Sequence, residues 1–439
     1  MHTPMIPALA ARPGTGIMMG IPIRTETTAM PIRFPVLPIA FVLSFGLAPA
    51  AARADAQAPT GATKGSLVIA GGALRADNAA VWKKIVELAG GRGARIAVFP
   101  TAAGNPERSG RLTAEILASY GARPFVVPLA ANLAGTDVRK AADDPQLAAS
   151  VRAAGGAFFT GGDQGRITAA LRHADGGNSA VLDALWDLYR RGGVIAGTSA
   201  GAAIMSKTMF YEGRAPLPTL RDGITDGRDI APGLGFIGDD VFVDQHLLIR
   251  GRFARMLPAM LAKHYKLGLG IDENTAAVVA PDRTIAVIGY KGALLLDLAQ
   301  ASVDAARTGF NVTDARISYL DSGDRYDPAS GRFTPGPDKE KVDPADPTYR
   351  GTLFAPDILG NTAVVDLLMK LCDSDQARAT GIAFGDPAGL AADRGFEFVF
   401  TRTPESEGWT SNRADTYSVY RVRMDVRPVK LTLPLYRAE

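Results

Sequence analysis

The sequence predicts an α/β fold built on a mostly parallel sheet with helices on both faces. Three observations predict it: short runs that are apolar on both faces, their alternation with amphipathic helical stretches, and small glycine-rich loops where the runs end. Residues 66–70 (SLVIA) read as the first buried strand, followed by Gly71-Gly72 and a helix through Val81, Ile85 and Leu88. The unit repeats as RIAVFP at 95–100 with a helix through Leu112, Ile116 and Leu117, then as PFVVPL at 124–129, GAFFTGG at 156–162 and GVIAGTS at 193–199. In such sheets the functional crevice lies beyond the carboxyl ends of the strands. The informative loops are therefore those after Phe159 and Ile195.

From about residue 210 the rhythm changes to hairpin-like runs, DVFVDQHLL, LGIDENTAAVV and RTIAVIGYKGALLLD, with a helix over about 252–265 after the first. The main domain so read covers 64–306. Residues 323–349 are dense in Pro, Gly and charge, which marks a long loop or linker. Beyond it come a helix around 363–371 and two alternating strand patterns, Tyr420-Val422-Met424-Val426 and Val429-Leu431-Leu433-Leu435. The extension 307–439 is expected to be a small β-rich appendage.

The amino-terminal region is set apart from the fold. From Met30 one Arg precedes an apolar stretch over about 34–47, and small residues ending in Ala52-Arg53-Ala54 follow, the three parts of a secretory signal peptide. Pro35 and Pro38 interrupt a run shorter than the roughly 20 apolar residues of a spanning helix, so no stable membrane span is expected. Residues 30–54 are expected to be a signal peptide that sends the protein to the periplasm or beyond. Residues 1–29 read as an upstream extension, with Met30 the true start.

A net charge of +3 over 439 residues, with no Lys/Arg-dense block, argues against a nucleic-acid partner. Without residues 1–54, which hold four arginines and one glutamate, the chain is formally neutral. One cysteine forms no intramolecular disulfide, and Cys372, in VVDLLMKLC, reads as a small buried hydrophobe. No metal or organic cofactor is expected: a Cys-based zinc site is out of reach, and the glycine pairs at Gly71 and Gly161 lack the Gly-x-Gly-x-x-Gly spacing and read as βα turns.

The segment Gly197-Thr198-Ser199-Ala200-Gly201 follows an apolar strand and precedes a small-residue helix, the pattern of a nucleophile elbow. Flanking small residues let the chain turn sharply enough to stand the Ser199 hydroxyl above the sheet. The helix beginning there is expected to bring N–H donors and partial positive charge to a developing oxyanion. A serine nucleophile needs a base. His2 lies in the excluded segment, and His173 and His264 sit at helix ends, where the dipole alone accounts for them. His246 ends the strand-like VFVDQH, with Asp244 and Gln245 before it and Arg250, Arg252 and Arg255 after it, and is the favoured base. The orienting acid is Asp272 or Glu273, directly after GLGI. The order Ser, His, acid differs from that of α/β-hydrolases, but triads are defined by geometry. The loop Thr160-Gly161-Gly162-Asp163-Gln164 ends a neighbouring strand, and its Gly162 N–H is expected to complete an oxyanion hole with that of Ala200.

The segments FFTGGDQGRI, IAGTSAGAAIMS, DQHLLIRGRFARML and GIDENTA, in that order, resemble the successive motifs of cyanophycinases, serine peptidases related to dipeptidase E within the class I glutamine-amidotransferase-like, flavodoxin-like fold. The resemblance covers roughly 66–306, which makes 64–306 the peptidase domain, and the leader and long tail are similar to the secreted members. It implies Ser199 as nucleophile, His246 as base and Glu273 as third member, with Gln164, Asp244, Arg250, Arg252 and Arg255 lining the substrate site. The substrate it implies is cyanophycin, polyaspartate with arginine joined through each β-carboxyl, cleaved to β-aspartyl-arginine. Arginine forks suit aspartyl carboxylates, and Asp244 or Asp163 suits a substrate guanidinium. The resemblance also suggests a homodimer. Rival readings are an isoaspartyl or α-aspartyl dipeptidase using the same triad, and a noncatalytic peptide-binding protein of the same fold.

Overall fold

Five of the expected runs become the parallel side of a nine-stranded sheet, with Arg123–Val126 at its edge. The computed structural model describes residues 63–385, 394–411 and 413–439 apart from 414, 415, 433, 437 and 438. The expected signal peptide and upstream extension lie outside the described residues. Across the sheet the parallel strands run Ser66–Ala70, Val194–Thr198, Gly156–Phe159, Arg95–Phe99 and Arg123–Val126. Alternate side chains feed two cores: Val68, Val98, Phe158 and Val194 pack under helices Ala79–Leu88 and Pro106–Ser119, while Leu67, Ile69, Phe99 and Ile195 pack under Pro145–Arg152, Gln164–Leu171 and Ala180–Arg191. Asn78, Asn105, Asp144, Asp163 and Ser179 begin these five helices, each accepting a first-turn N–H.

On the other side of Ser66–Ala70 the sheet turns antiparallel through Thr275–Val279, Ile285–Gly289, Arg325–Asp327 and Arg332–Thr334. The last two correct the expected linker at 323–349: they form a hairpin on the sheet edge. Two contacts anchor it. Phe333 stacks on Tyr420, and Lys339 makes a buried ion pair with Asp324 at 2.7 Å.

A second sheet runs Leu353–Ala355, Arg378–Ala383, Arg394–Thr401, Thr416–Lys430, Val312–Leu320, Ala293–Asp297, Leu267–Ile271 and Val241–Gln245. The runs LGIDENTAAVV and RTIAVIGYKGALLLD are each divided between the two sheets, so the chain changes sheet at 272–274 and again at 290–292. Local alternation marks a strand but not its partner. Of the two carboxyl-terminal strand patterns the first lies in one fifteen-residue strand, Thr416–Lys430, which takes in only Val429 of the second; Leu431 lies beyond it and Leu435 is exposed. The extension is β-rich and continues the second sheet through pairing with Ala293–Asp297 and Arg394–Thr401. Phe396, Phe398, Phe400, Val422 and Met424 share a core with helix Phe253–Ala262 and with helix Ala363–Cys372. Among the described residues no helix is long and apolar enough to cross a membrane.

Candidate active site

Ser199 follows the strand Val194–Thr198 with φ 54° and ψ −109°, a conformation that costs a non-glycine residue energy and that its neighbours must hold in place. Both flanking glycines are required by space. A Cβ on Gly197 would lie 2.9 Å from the Gly201 Cα, and one on Gly201 would lie 2.8 Å from the Phe159 Cβ. The following helix, Ala200–Ala203, is only four residues long, so the macrodipole expected from the sequence is small. The local donors matter instead. Among the described residues neither the Ala200 N–H nor the Gly162 N–H donates to an acceptor within the protein.

Three loops from distant parts of the chain converge on the end of the first strand. The Ser199 N–H donates to Ala70 O (3.1 Å), the His246 N–H to Gly71 O (2.7 Å) and the Asn274 N–H to Gly72 O (2.8 Å). Three consecutive carbonyls thus place the serine loop, the histidine and the acidic loop beside one another. Gly71 and Gly72 permit that approach. A Cβ on Gly71 would fall 2.6 Å from the Ile271 carbonyl carbon, and one on Gly72, whose φ is +124°, would fall 2.5 Å from His246 Nε2.

The side chains then form a hydrogen-bonded row. Ser199 Oγ lies 2.8 Å from His246 Nε2, and His246 Nδ1 lies 2.6 Å from Glu273 Oε1. Burial pushes the imidazole pKa below its ordinary 6.5; the Glu273 hydrogen bond opposes this, and the charges of Arg250 and Arg252 add to it. His246 is thereby kept neutral, and able to accept a proton, around neutral pH. The loop carrying Glu273 is clasped from outside: Asn274 sits at φ 54°, and Asn78 Nδ2 donates to its carbonyl (2.9 Å) and to its Oδ1 (3.0 Å). Asn78 also accepts from Val81 N, so one side chain both caps a helix and holds this loop.

Asp272, the other acid left open by the sequence, does not touch the imidazole. It is wholly buried; Oδ1 accepts from the Leu248 N–H at 3.1 Å and Oδ2 faces the Lys291 ammonium at 2.9 Å as an ion pair. Its contacts fasten the segment after His246.

The row opens into a cavity of about 430 Å³. Gly162, Gln164, Arg250, Arg252 and Arg255 line it, as do Gln245, Glu212 and Tyr211, which the sequence reading did not single out. Arg250 is exposed and has no carboxylate partner among the described residues. Arg252 donates to Gln245 O at 2.8 Å, and its pKa is pushed down to about 10 by burial, against the pull of Asp244 and with the help of Arg255 and Arg250. Arg255 is buried and spans Asp244 with two 2.7 Å hydrogen bonds, its guanidinium carbon 4.0 Å from the centre of the Phe210 ring.

Two expectations are corrected here. Asp244 does not line the cavity: it is 1% exposed and its carboxylate is consumed by Arg255, because a buried charge needs a partner. Asp163 does not line it either. It caps helix Gln164–Leu171, accepting from Gly165 N at 2.8 Å, with Arg166 nearby at 3.5 Å. Gln164 spends its amide on Phe210 O (2.8 Å) and Tyr211 O (2.9 Å), which holds that segment at the cavity wall. Gly72, Asn78 and Asn274 were also given no site role from the sequence, where Gly71-Gly72 follows the first strand as a plain turn. The rule that sites lie at strand ends applied to that pair as much as to Ser199.

Comparison with known proteins identifies the family. Residues 67–287, half of the chain, match the model of Peptidase family S51. A protein named cyanophycinase from Synechococcus elongatus is 32% identical over 243 residues, covering 54% of this chain and 71% of its own. Another of that name, from Trichormus variabilis, is 31% identical over 274 residues, covering 60% and 86%. The crystal structure of a peptidase from an acI-B1 Actinobacterium is similar at 23% identity and a TM-score of 0.40, covering 53% of this chain and 91% of that one. The chain belongs to peptidase family S51 and is a serine-type peptidase.

Proposed function

We propose that this peptidase is a cyanophycinase, an exopeptidase that hydrolyses cyanophycin to β-aspartyl-arginine with Ser199 as nucleophile, His246 as general base and Glu273 as its orienting acid. The observation that carries the reading is the row Ser199 Oγ, His246 Nε2, His246 Nδ1 and Glu273 Oε1, opening into a cavity that also holds Arg250 and Arg252. The likeness to proteins named cyanophycinase supports the substrate.

In this mechanism Ser199 Oγ attacks the scissile carbonyl carbon while His246 Nε2 takes the hydroxyl proton. Glu273 keeps the other imidazole proton on Nδ1 and stabilises the imidazolium. The Gly162 and Ala200 N–H groups receive the negative oxygen of the tetrahedral intermediate. His246 then gives its proton to the leaving amine, the C–N bond breaks, and a water deprotonated by His246 releases the acyl group from Ser199.

The test is mass-spectrometric detection of β-aspartyl-arginine released from insoluble cyanophycin by the wild type and by Ser199→Ala. Release by the wild type and none by the variant is expected. Retained release by a folded Ser199→Ala protein refutes the nucleophile, and cleavage of free aspartyl dipeptides without polymer degradation moves the reading to a dipeptidase. We also propose that the enzyme acts in the periplasm or outside the cell after loss of residues 30–54. Amino-terminal sequencing of the protein from fractionated cells is expected to start after Ala54, and an uncleaved cytoplasmic product refutes export.

A further inference from the structure

The cavity lacks the acids that the sequence nominated for an arginine-bearing substrate. Asp163 is a helix cap and Asp244 is the buried partner of Arg255. Against the cations Arg250 and Arg252, Glu212 is the one carboxylate among the described residues that line the cavity. Its placement is built. The Glu212 N–H donates to Arg228 O at 3.1 Å and the preceding Tyr211 N–H to Asp229 O at 2.9 Å, while Gln164 clasps the carbonyls of Phe210 and Tyr211.

The arginines near Glu212 are already engaged elsewhere. Arg228 pairs with Asp229 at 3.0 Å, and Arg214 pairs with Asp229 at 3.1 Å and with Asp222 at 2.6 Å. Glu212 is exposed at the cavity and makes no ion pair within 4.0 Å among the described residues; its charge is felt by Arg228, whose guanidinium is bonded to Asp229. A cavity with a free cation on one segment and a free carboxylate on another complements a zwitterion. Each β-aspartyl-arginine unit carries a carboxylate and a guanidinium.

We propose that Glu212 binds the guanidinium of the substrate arginine, and that this contact, resting on the function proposed above, sets the preference for arginine-bearing peptides. Arg250 and Arg252 take the carboxylate side of the same unit. The fork of a guanidinium and a carboxylate match bidentately, whereas the neutral urea of citrulline, of nearly the same shape, offers no charge.

The experiment compares kcat and KM for β-aspartyl-arginine and β-aspartyl-citrulline peptides in wild type, Glu212→Gln and Arg250→Gln. Wild type is expected to prefer the arginyl peptide by about 10- to 100-fold in kcat/KM. Glu212→Gln is expected to bring that ratio to within about threefold of unity, mainly through KM for the arginyl peptide, because the contact is remote from the reacting bond. Arg250→Gln is expected to weaken both peptides alike and leave the ratio in place. A ratio unchanged by Glu212→Gln, with both peptides still cleaved, overturns the assignment and leaves the peptidase reading standing. Failure of the wild type to cleave either peptide overturns the substrate reading and the assignment with it.

Discussion

Replacing Gly72 by alanine adds one methyl group, yet it should disable the site. The backbone at Gly72 has φ +124°, which L side chains rarely adopt, and the new Cβ would sit 2.5 Å from His246 Nε2 and 2.7 Å from Nδ1. Ordinary contact begins at 3.4 Å, so the imidazole must retreat by about 1 Å or the strand end must shift. Either movement opens the 2.8 Å bond from Ser199 Oγ to His246 Nε2 and disturbs the 2.6 Å bond to Glu273. A misplacement of about 1 Å costs on the order of 100-fold in rate, equivalent to about 2.7 kcal/mol. Backbone strain adds about 1–3 kcal/mol of lost stability. The assay is kcat/KM on an aspartyl-arginine peptide, beside thermal unfolding to show that the variant is folded. A folded Gly72→Ala enzyme within about threefold of wild type would refute the argument that this glycine seats the imidazole.

The acid limb of kcat/KM should fall below pH 6.5, because burial and the charges of Arg250 and Arg252 hold the His246 pKa down, and activity rises with pH as the imidazole loses its proton. Arg250→Gln removes one of those charges and should move the limb upward; a downward move contradicts the assignment. Asp244→Ala should destabilise the protein by about 3–5 kcal/mol in a urea titration, since it strands the buried Arg255 guanidinium. A change in KM with unaltered unfolding would return Asp244 to the substrate. Asn78→Asp keeps an acceptor for the cap on helix Ala79–Leu88 but sets a buried carboxylate against the two Asn274 oxygens that Nδ2 served, so kcat should fall on the order of tenfold and stability by more than the about 1 kcal/mol expected of Asn78→Ala. Equal kcat in wild type and Asn78→Asp would show that the clasp does not position Glu273.

What could be read in advance was local. Four of the five runs are strands whose two-sided burial leaves a contiguous apolar signature, and Ser66–Ala70 begins and ends where SLVIA does; the fifth, Arg123–Val126, is a partly exposed edge strand. The Ser199 elbow announces itself through Gly197 and Gly201; Gly197 is required by Gly201 four residues on, while the space at Gly201 is set by Phe159 of the neighbouring strand. His246 stood out because few histidines compete with it. By contrast, the 323–349 segment reads as a linker because the Pro, Gly and charge that mark loops say nothing of the Asp324–Lys339 pair buried beneath Ser418.

Strand content, the elbow and the histidine are therefore properties of this sequence alone, because each is signalled by residues within a few positions of one another. Tertiary structure decided the rest. Asp272 and Glu273 are adjacent and chemically alike, and only the passage of the chain from one sheet to the other turns Asp272 toward Leu248 and Lys291 and Glu273 toward His246. Asp244 stands beside Gln245 and His246 in the chain, but its alternation along the strand points it at Arg255, whereas Glu212, from a distant hairpin, reaches the cavity. Which acid meets a ligand and which is spent inside the protein depends on long-range pairing, and that pairing leaves no mark on the spacing of the residues themselves.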